Sequence, residues 1–303
     1  MHIRIISPSG AIDPTYIDQA SARLRAWGYK VSEGAHARDR WGRFAGKDED
    51  RLQDLVEAIK DETVDCILCS RGGYGLQRII DRVPFIPREK TIIGFSDITA
   101  LHNKAAVCGT ASLHSIMCKH IATLPEESEP IMMLRKALAG EGLEYRIPAH
   151  PLNRLGEVTA PIIGGNLSVL HGLESTFYGY SFAIKQMVNR HIMDIEADEF
   201  ANPILLIEDI GERHYHIDRM MRHLNMEGAL INLSGLIVGQ FTDCEDDPGM
   251  NETVYETIKE AVAEYNYPVL FNAPFGHVEH NLPLWLSRPT QMTVSSEGAV
   301  LRT

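Results

Sequence analysis

The sequence contains no long run of apolar residues. Among its 303 residues, apolar runs such as 204–207 and 236–238 fall far below the roughly 18–20 residues of a membrane-spanning helix. The N-terminus enters a short apolar stretch directly, with no basic segment and no small-residue cleavage site typical of a signal peptide. These absences favour a cytoplasmic protein with no membrane partner.

Positive charge is also scarce. The chain has 29 Lys and Arg residues against 41 Asp and Glu residues, which gives a formal net charge of −12 with His neutral. Because such a surface repels a phosphate backbone or an anionic bilayer, we expect no nucleic-acid partner.

Cysteine is sparse and odd in number, with five residues and no spacing typical of a small disulfide scaffold. Cys66 and Cys69 form a C-x-x-C pair, but they lie within an apolar run that is typical of a buried strand. Buried cysteines usually behave as small apolar side chains. We therefore expect reduced thiols with no redox or zinc-binding role.

The first hundred residues alternate short apolar runs with amphipathic segments, a pattern that predicts parallel strands joined by helices. The predicted strands lie at 3–7, 30–32, 66–69 and 91–94, and the predicted helices at 16–27 and 48–60. This part of the chain therefore predicts an α/β domain with a parallel sheet.

The pattern weakens between residues 126 and 155, apart from a predicted helical piece at 131–138. Beyond it we predict strands at 204–207, 235–238, 269–270 and 291–294, and helices around 215–224 and 251–265. The expected organisation is an N-terminal domain at 1–125, a connecting segment at 126–154 and a C-terminal domain at 155–303.

The clearest candidate for chemistry is Ser96, which follows the predicted strand 91–94 in a turn that precedes a helix-like run. This strand–turn–helix arrangement is typical of a nucleophile elbow, in which the hydroxyl is exposed on a tight turn. The amide of the next residue, Asp97, can then stabilise a developing oxyanion. The alternative is that Ser96 only caps the helix.

A second glycine-containing turn, at 70–75, also follows a predicted strand and precedes a predicted helix. It matches neither the dinucleotide-binding pattern nor the P-loop, so we do not expect a phosphate loop. Parallel strands open their turns at one sheet edge, so the amide of Gly72 or Gly73 could supply a second oxyanion donor. A plain tight turn is the alternative.

An acidic pair and a loop histidine could complete a catalytic group. Glu208 and Asp209 follow the apolar run 204–207, where a buried charge is costly unless it has a partner. His277 lies in a loop after Pro274 and Gly276. A zinc site is the alternative to weigh, although no H-E-x-x-H motif occurs. Its ligands would come from His214, His216, His277, His280, Glu208 and Asp209.

Several short motifs together, in this order and spacing, resemble those of the LD-carboxypeptidase family. They are Ser7-Pro8-Ser9-Gly10, Arg43-Phe44-Ala45-Gly46, Arg71-Gly72-Gly73-Tyr74-Gly75, Gly94-Phe95-Ser96-Asp97, Gly164-Gly165-Asn166-Leu167, Glu208-Asp209 and Gly276-His277. The resemblance implies a flavodoxin-like N-terminal domain, a smaller mixed β/α C-terminal domain and an active site between them.

The same resemblance implies that Ser96 is the nucleophile, His277 the general acid and base, and Glu208 the residue that orients the imidazole. The oxyanion donors would be the amides of Asp97 and of Gly72 or Gly73. No cofactor and no metal are implied, and family members are commonly dimers.

Members of this family hydrolyse the amide between the L-centre of a diamino acid and a C-terminal D-alanine in murein tetrapeptides. A relative with the same triad cleaves microcin C and stacks the nucleobase on an aromatic side chain of a C-domain loop. The tryptophans of this chain are Trp27, Trp41 and Trp285, none of which lies in the loop after Leu173. We therefore expect a murein-derived peptide as substrate rather than a microcin-like conjugate.

Three departures from the family pattern concern the substrate. The stretches 114–117 and 174–176 differ from the corresponding family motifs, and the stretch 178–201 is longer than in typical members. The longer stretch precedes Glu208, so we expect it to shape the substrate pocket. A non-enzymatic sensor that holds a ligand between its two glycine turns is the remaining alternative.

Overall fold

The computed structural model describes residues 1–179 and 202–303, which form two β-sheets with helices packed against them. The strands of the first half are β1 His2–Ile6, β2 Lys30–Glu33, β3 Cys66–Cys69, β4 Thr91–Gly94, β5 Ser112–His114, β6 Glu144–Pro148 and β7 Gly156–Asn166. The strands of the second half are β8 Ile204–Ile210, β9 Gly235–Thr242, β10 Val269–Leu270, β11 Leu284–Leu286, β12 Pro289–Ser295 and β13 Gly298–Arg302.

The first sheet has the strand order β11-β5-β4-β3-β1-β2. Its five N-terminal strands are parallel and follow the flavodoxin-like order 2-1-3-4-5, as the resemblance implies. In such a sheet the turns that follow the strands meet at one edge. The turns after β3 and β4, which carry Gly73 and Ser96, are therefore neighbours.

The second sheet is mixed and has the order β10-β9-β8-β7-β12-β13-β6. The strands β7, β8, β9 and β10 are parallel, whereas β12, β13 and β6 continue the sheet in antiparallel fashion. This confirms the expected α/β fold with a parallel sheet in the N-terminal part and a mixed sheet in the C-terminal part.

The helices of the described residues follow the amphipathic segments of the sequence. The α-helices are Pro14–Ala26, Asp48–Lys60, Thr99–Cys108, Cys118–Thr123, Glu129–Leu138, Leu167–Leu173, His214–Met226 and Val254–Ala261. Two predictions were wrong in extent. The helix predicted at 251–265 is shorter, because Thr253 caps its first turn. The turn after β3 leads into two short 3₁₀ helices, Leu76–Arg78 and Ile80–Arg82, rather than into an α-helix.

The predicted domain limits stay a prediction, but two strands bear on how the chain is divided. Strand β11 pairs with β5 at the edge of the first sheet, although it lies late in the chain. Strand β6 falls within the predicted connecting segment and pairs with β13 in the second sheet. One buried cluster contains residues of both sheets, such as Ile93 and Leu206, so the two sheets share a core.

The predicted longer stretch at 178–201 lies outside the described residues, except for Tyr178 and Gly179. All five cysteines are free, and burial raises the pKa of the Cys66 thiol to about 12, which disfavours the reactive thiolate. Within the described ranges, the helices are too short or too polar for any of them to traverse a bilayer.

Candidate active site

Ser96 occupies a sharp turn between β4 and the helix that follows it. Its φ of 68° lies in the left-handed region, where a side chain costs about 1–2 kcal/mol. The 3₁₀ helix Ser96–Ile98 has Phe95 as its N-cap and the helix Thr99–Cys108 has Ile98, and neither N-cap residue makes a side-chain capping bond. Ser96 is therefore not the cap that the alternative interpretation required. Its strained backbone holds a half-buried hydroxyl at the sheet edge.

The glycine turn after β3 packs directly against Ser96. A Cβ atom added to Gly72 would lie 2.8 Å from the Ser96 Cβ and 3.0 Å from its Oγ. The carbonyl of Gly72 accepts a 3.0 Å hydrogen bond from the amide of Gly10. Gly73 adopts a φ of 107°, which favours glycine, and lines the cavity that contains Ser96.

Asp97 joins the two turns through its side chain. Its Oδ2 accepts a 3.0 Å hydrogen bond from the amide of Leu76, at the end of the glycine turn. Burial raises the pKa of this carboxyl group, while the amide hydrogen bond partly offsets that effect. The side chain of Asp97 thus fixes the glycine turn, and its own amide stays next to Ser96 in the chain.

Glu208 lies on β8 and is fully buried. The pairing of β8 with β9 shifts register between Ile207 and Asp209, and such an irregularity re-aims side chains. Two glycines leave room for the Glu208 side chain. A Cβ on Gly239 would lie 3.2 Å from the Glu208 Cβ, and one on Gly276 would lie 3.0 Å from Glu208 Oε2.

His277 is held by its own loop. The Thr242 hydroxyl donates a 3.0 Å hydrogen bond to the His277 carbonyl, and the Gly276 amide donates to Asn281 Oδ1 at 3.0 Å. The ring of Phe95 packs edge-on against the imidazole, with 5.0 Å between ring centroids. The two hydrogen bonds fix the backbone of the loop, and the contact with Phe95 fixes the orientation of the imidazole ring.

Ser96, His277 and Glu208 form one hydrogen-bonded chain. His277 Nε2 lies 2.9 Å from Ser96 Oγ, and His277 Nδ1 lies 2.7 Å from Glu208 Oε2. Burial disfavours the charged imidazolium, but the hydrogen bond to Glu208 and the nearby carboxylates outweigh it. The pKa of His277 therefore lies above the ordinary histidine value.

Asp209 is not part of this hydrogen-bonded chain of three side chains. It is hydrogen-bonded to Asn166 instead. Its Oδ1 accepts a 2.8 Å hydrogen bond from Asn166 Nδ2, and its Oδ2 accepts one of 2.8 Å from the amide of Ser168. Burial, and next the charge of Glu208, raise the pKa of Asp209 to about 7.

A cavity of about 270 Å³ opens in front of Ser96. Gly73, Tyr74, Ser96, Asn166 and Asp209 are among the residues that line it. Tyr74 and Gln77 also line a larger cavity of about 970 Å³, whose far wall includes the loop after Leu173. The two cavities therefore adjoin each other at Tyr74 and Gln77.

The six residues weighed as zinc ligands do not converge on one metal site, although His277 and Glu208 are hydrogen-bonded to each other. His214 Nε2 lies 2.7 Å from the Thr257 hydroxyl, His216 bonds Glu212, and His280 bonds Glu129. Within residues 1–179 and 202–303, the group with metal-ligand spacing is His36, Asp39 and Asp50, which contains none of the six. His214, His216 and His280 thus have partners outside the proposed zinc ligand set.

Sequence reasoning missed two features of the site. Asn166 belongs to one of the short sequence motifs, but its hydrogen bond to Asp209 depends on the pairing of β7 with β8 and has no local signal. The loop after Leu173 lacks tryptophan but carries Phe177 and Tyr178, both of which line the larger cavity. The absence of tryptophan therefore did not mean the absence of an aromatic side chain there.

Comparison with known proteins identifies relatives over nearly the whole chain. Residues 3–115 match the LD-carboxypeptidase N-terminal domain, and residues 159–292 match the LD-carboxypeptidase C-terminal domain. The Synechocystis sp. protein slr1534 is 32% identical, over 91% of this chain and 85% of its own length. The murein tetrapeptide carboxypeptidase of Pseudomonas aeruginosa is 26% identical, over 99% of this chain and 94% of its own.

Solved structures share the fold. The muramoyltetrapeptide carboxypeptidase of Oxalobacter formigenes superposes with a TM-score of 0.85 at 21% identity, covering 100% of this chain and 98% of that one. MccF in complex with glutamyl sulfamoyl guanosine gives a TM-score of 0.78 at 19% identity, covering 100% and 96%. With both of its domains matched, the chain belongs to the LD-carboxypeptidase family and is a serine-type carboxypeptidase.

Proposed function

We propose that the protein hydrolyses the amide between the L-centre of a diamino acid and a C-terminal D-amino acid in murein tetrapeptides. The observation that carries the proposed chemistry is the hydrogen-bonded chain from Ser96 Oγ through His277 to Glu208, with distances of 2.9 and 2.7 Å. The names of the Pseudomonas aeruginosa and Oxalobacter formigenes relatives support the substrate class.

The chain of hydrogen bonds supports Ser96 as the nucleophile. A carboxylate oxygen of Glu208 accepts a hydrogen bond from the Nδ1–H of His277, which leaves Nε2 free to accept the Ser96 proton. The Ser96 oxygen then attacks the scissile carbonyl carbon. The protonated His277 next donates that proton to the departing amine of the D-residue, and water later hydrolyses the acyl-enzyme by the same route.

We assign the oxyanion donors to the amides of Asp97 and Gly73. Both residues line the cavity in front of Ser96, and Asp97 follows the nucleophile directly. Gly72 is less suited to donate, because it is buried and is not among the residues that line this cavity. Its task is instead to allow the glycine turn to approach Ser96 closely.

The two cavities match in size the two products of tetrapeptide hydrolysis. The released D-residue is small, whereas the acyl part that stays on Ser96 is a tripeptide. We assign the acyl part to the cavity of about 970 Å³, which meets the smaller cavity at Tyr74 and Gln77. An apolar-lined space of that size is typical of ligand sites.

A product assay tests this function. The protein is incubated with murein tri-, tetra- and pentapeptides, and the products are identified by mass. We expect loss of one D-alanine from the tetrapeptide alone, full activity after exhaustive chelation, and no product with Ser96→Ala. Inactivation by a chelator with recovery on adding zinc would refute the serine mechanism.

The same assay includes an aminoacyl-nucleotide conjugate, because Phe177 and Tyr178 line the larger cavity. Cleavage of that conjugate in preference to the tetrapeptide would show a microcin-type peptidase. Tight binding of the tetrapeptide with no turnover by the wild type, unchanged in Ser96→Ala, would show a sensor.

A further inference from the structure

Three aromatic side chains outside the proposed catalytic group form a continuous row. The ring of Trp41 stacks on that of Phe44 at 5.9 Å between centroids, with 25° between planes. The ring of Phe44 lies 5.9 Å from that of Tyr74. Trp41 is 51% exposed and Tyr74 is 43% exposed, so the two ends of this aromatic row face solvent.

The aromatic row begins at the proposed substrate site. Tyr74 lines both the cavity in front of Ser96 and the larger cavity beside it. Arg78 also lines the larger cavity, and its guanidinium carbon lies 5.3 Å from the centroid of the Phe44 ring. The row therefore leads from the cavity mouth outward across the surface to Trp41.

The loop that carries the row is fixed in place. Trp41 and Phe44 exchange two backbone hydrogen bonds, of 2.9 and 3.1 Å, and the Ala11 amide donates to the Arg43 carbonyl at 2.9 Å. Beneath Phe44 lies the buried guanidinium of Arg51, whose carbon is 5.1 Å from the ring centroid. A ligand that stacks on these rings meets a preformed surface and loses little free energy to ordering it.

We infer that the aromatic row binds the sugar ring of a muramoyl tetrapeptide, an inference that rests on the proposed function. A muramoyl group joins a pyranose ring to the N-terminal amine of the peptide, at the end remote from the scissile bond. The C–H groups on the face of a pyranose pack against aromatic faces, which carry partial negative charge. The tripeptide between the sugar and the scissile bond spans roughly 10 Å when extended, so the sugar lies well away from the Ser96 hydroxyl.

The experiment compares a muramoyl tetrapeptide with the same tetrapeptide lacking the sugar. For the wild type we expect a KM about tenfold lower for the muramoyl substrate, with similar kcat for both. Trp41→Ala should raise the KM of the muramoyl substrate to that of the free peptide, whereas Trp41→Phe, which keeps an aromatic face, should retain most of the difference.

Phe85→Ala serves as the matched control. Phe85 is 62% exposed and precedes β4, so it lies at the sheet edge opposite to Ser96. This control should keep the KM difference between the substrates. Equal KM values for both substrates in the wild type, or a difference that survives Trp41→Ala, would overturn the inference.

A binding measurement separates this inference from the proposed function. Muramoyl dipeptide has the sugar but no scissile bond, and its binding can be followed by calorimetry and tryptophan fluorescence. If the wild type cleaves neither tetrapeptide but binds muramoyl dipeptide, with binding weakened at least fivefold in Trp41→Ala, the sugar site stands and the proposed reaction fails. If the tetrapeptide is cleaved but muramoyl dipeptide does not bind, only the sugar site fails.

Discussion

Ser96 and the Glu208–His277 pair are positioned in one hydrogen-bonded chain by different structural features. Ser96 owes its position to its own turn, where a φ of 68° aims the side chain outward at the edge of a parallel sheet. Glu208 and His277 are 69 residues apart in sequence and belong to a strand and a loop of the other half of the molecule. Their positions depend on a strand irregularity and on two glycines that make space.

The comparison shows that local backbone strain positions Ser96, whereas packing between distant segments positions Glu208 and His277. The strain at Ser96 costs stability, and the neighbouring glycine turn that packs against Ser96 helps to hold it. The buried carboxylate of Glu208 is costly without its imidazole partner, so it depends on contacts between distant segments. Substitutions at Ser96 and at the Glu208–His277 pair should therefore differ in their effects on activity and on stability.

The largest expected effect is at Ser96. Ser96→Ala and Ser96→Gly both remove the hydroxyl, so kcat should fall by roughly 10⁴-fold or more in each. Glycine adopts the left-handed conformation freely, so Ser96→Gly should be about 1 kcal/mol more stable than Ser96→Ala in urea denaturation. Near-wild-type turnover of either variant would exclude Ser96 as nucleophile, and equal stabilities would argue against strain in the turn.

Glu208→Gln should have the next largest effect. The amide cannot replace the carboxylate in holding the correct imidazole tautomer, so kcat should fall roughly 10³- to 10⁴-fold with little change in substrate binding. Activity needs neutral His277 and is lost as pH falls through its pKa. That pKa lies above the ordinary value because of Glu208, so the acidic limb of residual activity should move to lower pH.

Glu144→Gln is the control for this comparison. Glu144 accepts a hydrogen bond from Arg302 on the antiparallel part of the second sheet. Its replacement should leave both kcat and the acidic limb unchanged. A pH–rate profile of Glu208→Gln that coincides with that of the wild type would contradict the assigned role of Glu208.

Gly72→Ala tests whether the elbow depends on its neighbouring turn. The new Cβ would meet the Ser96 Cβ at 2.8 Å, so either the nucleophile or the glycine turn must move. A displacement of this kind should lower kcat roughly 10- to 100-fold. Gly142→Ala is the matched control, because its Cβ would meet only the Thr303 carbonyl at 3.4 Å. Equal activity of the two variants would show that Ser96 tolerates the contact.

Asp209→Asn should have the smallest effect on turnover and a specific effect on stability. The folded-state pKa of Asp209 is raised to about 7, above its unfolded value, so the folded state retains a proton that the unfolded chain releases. Stability should therefore decline in the wild type as pH rises from about 4 to 7. The melting temperature of the variant should depend less steeply on pH than that of the wild type. If the two slopes are equal, a group other than Asp209 causes the loss of stability with rising pH.

The elements that could be predicted from sequence are those with strong local periodicity. The helix Asp48–Lys60 and the strand Thr91–Gly94 lie where their patterns placed them, because an amphipathic face and an apolar run are local signals. The long strand β7 and the short strand β11 were not predicted. Their pairing partners lie far away in the chain, and β11 joins the first sheet only through β5.

By itself, the sequence determined four of the five parallel strands of the first sheet, β1 to β4, and the turn that exposes Ser96, because apolar runs and turn residues are local signals. Tertiary structure decided that His277, 181 residues later, lies 2.9 Å from the Ser96 hydroxyl. It also decided that Gly73 rather than Gly72 faces the cavity, and that Trp41 continues the line of rings from Tyr74. Such proximities arise from the packing of buried surfaces between distant segments, which no local pattern encodes.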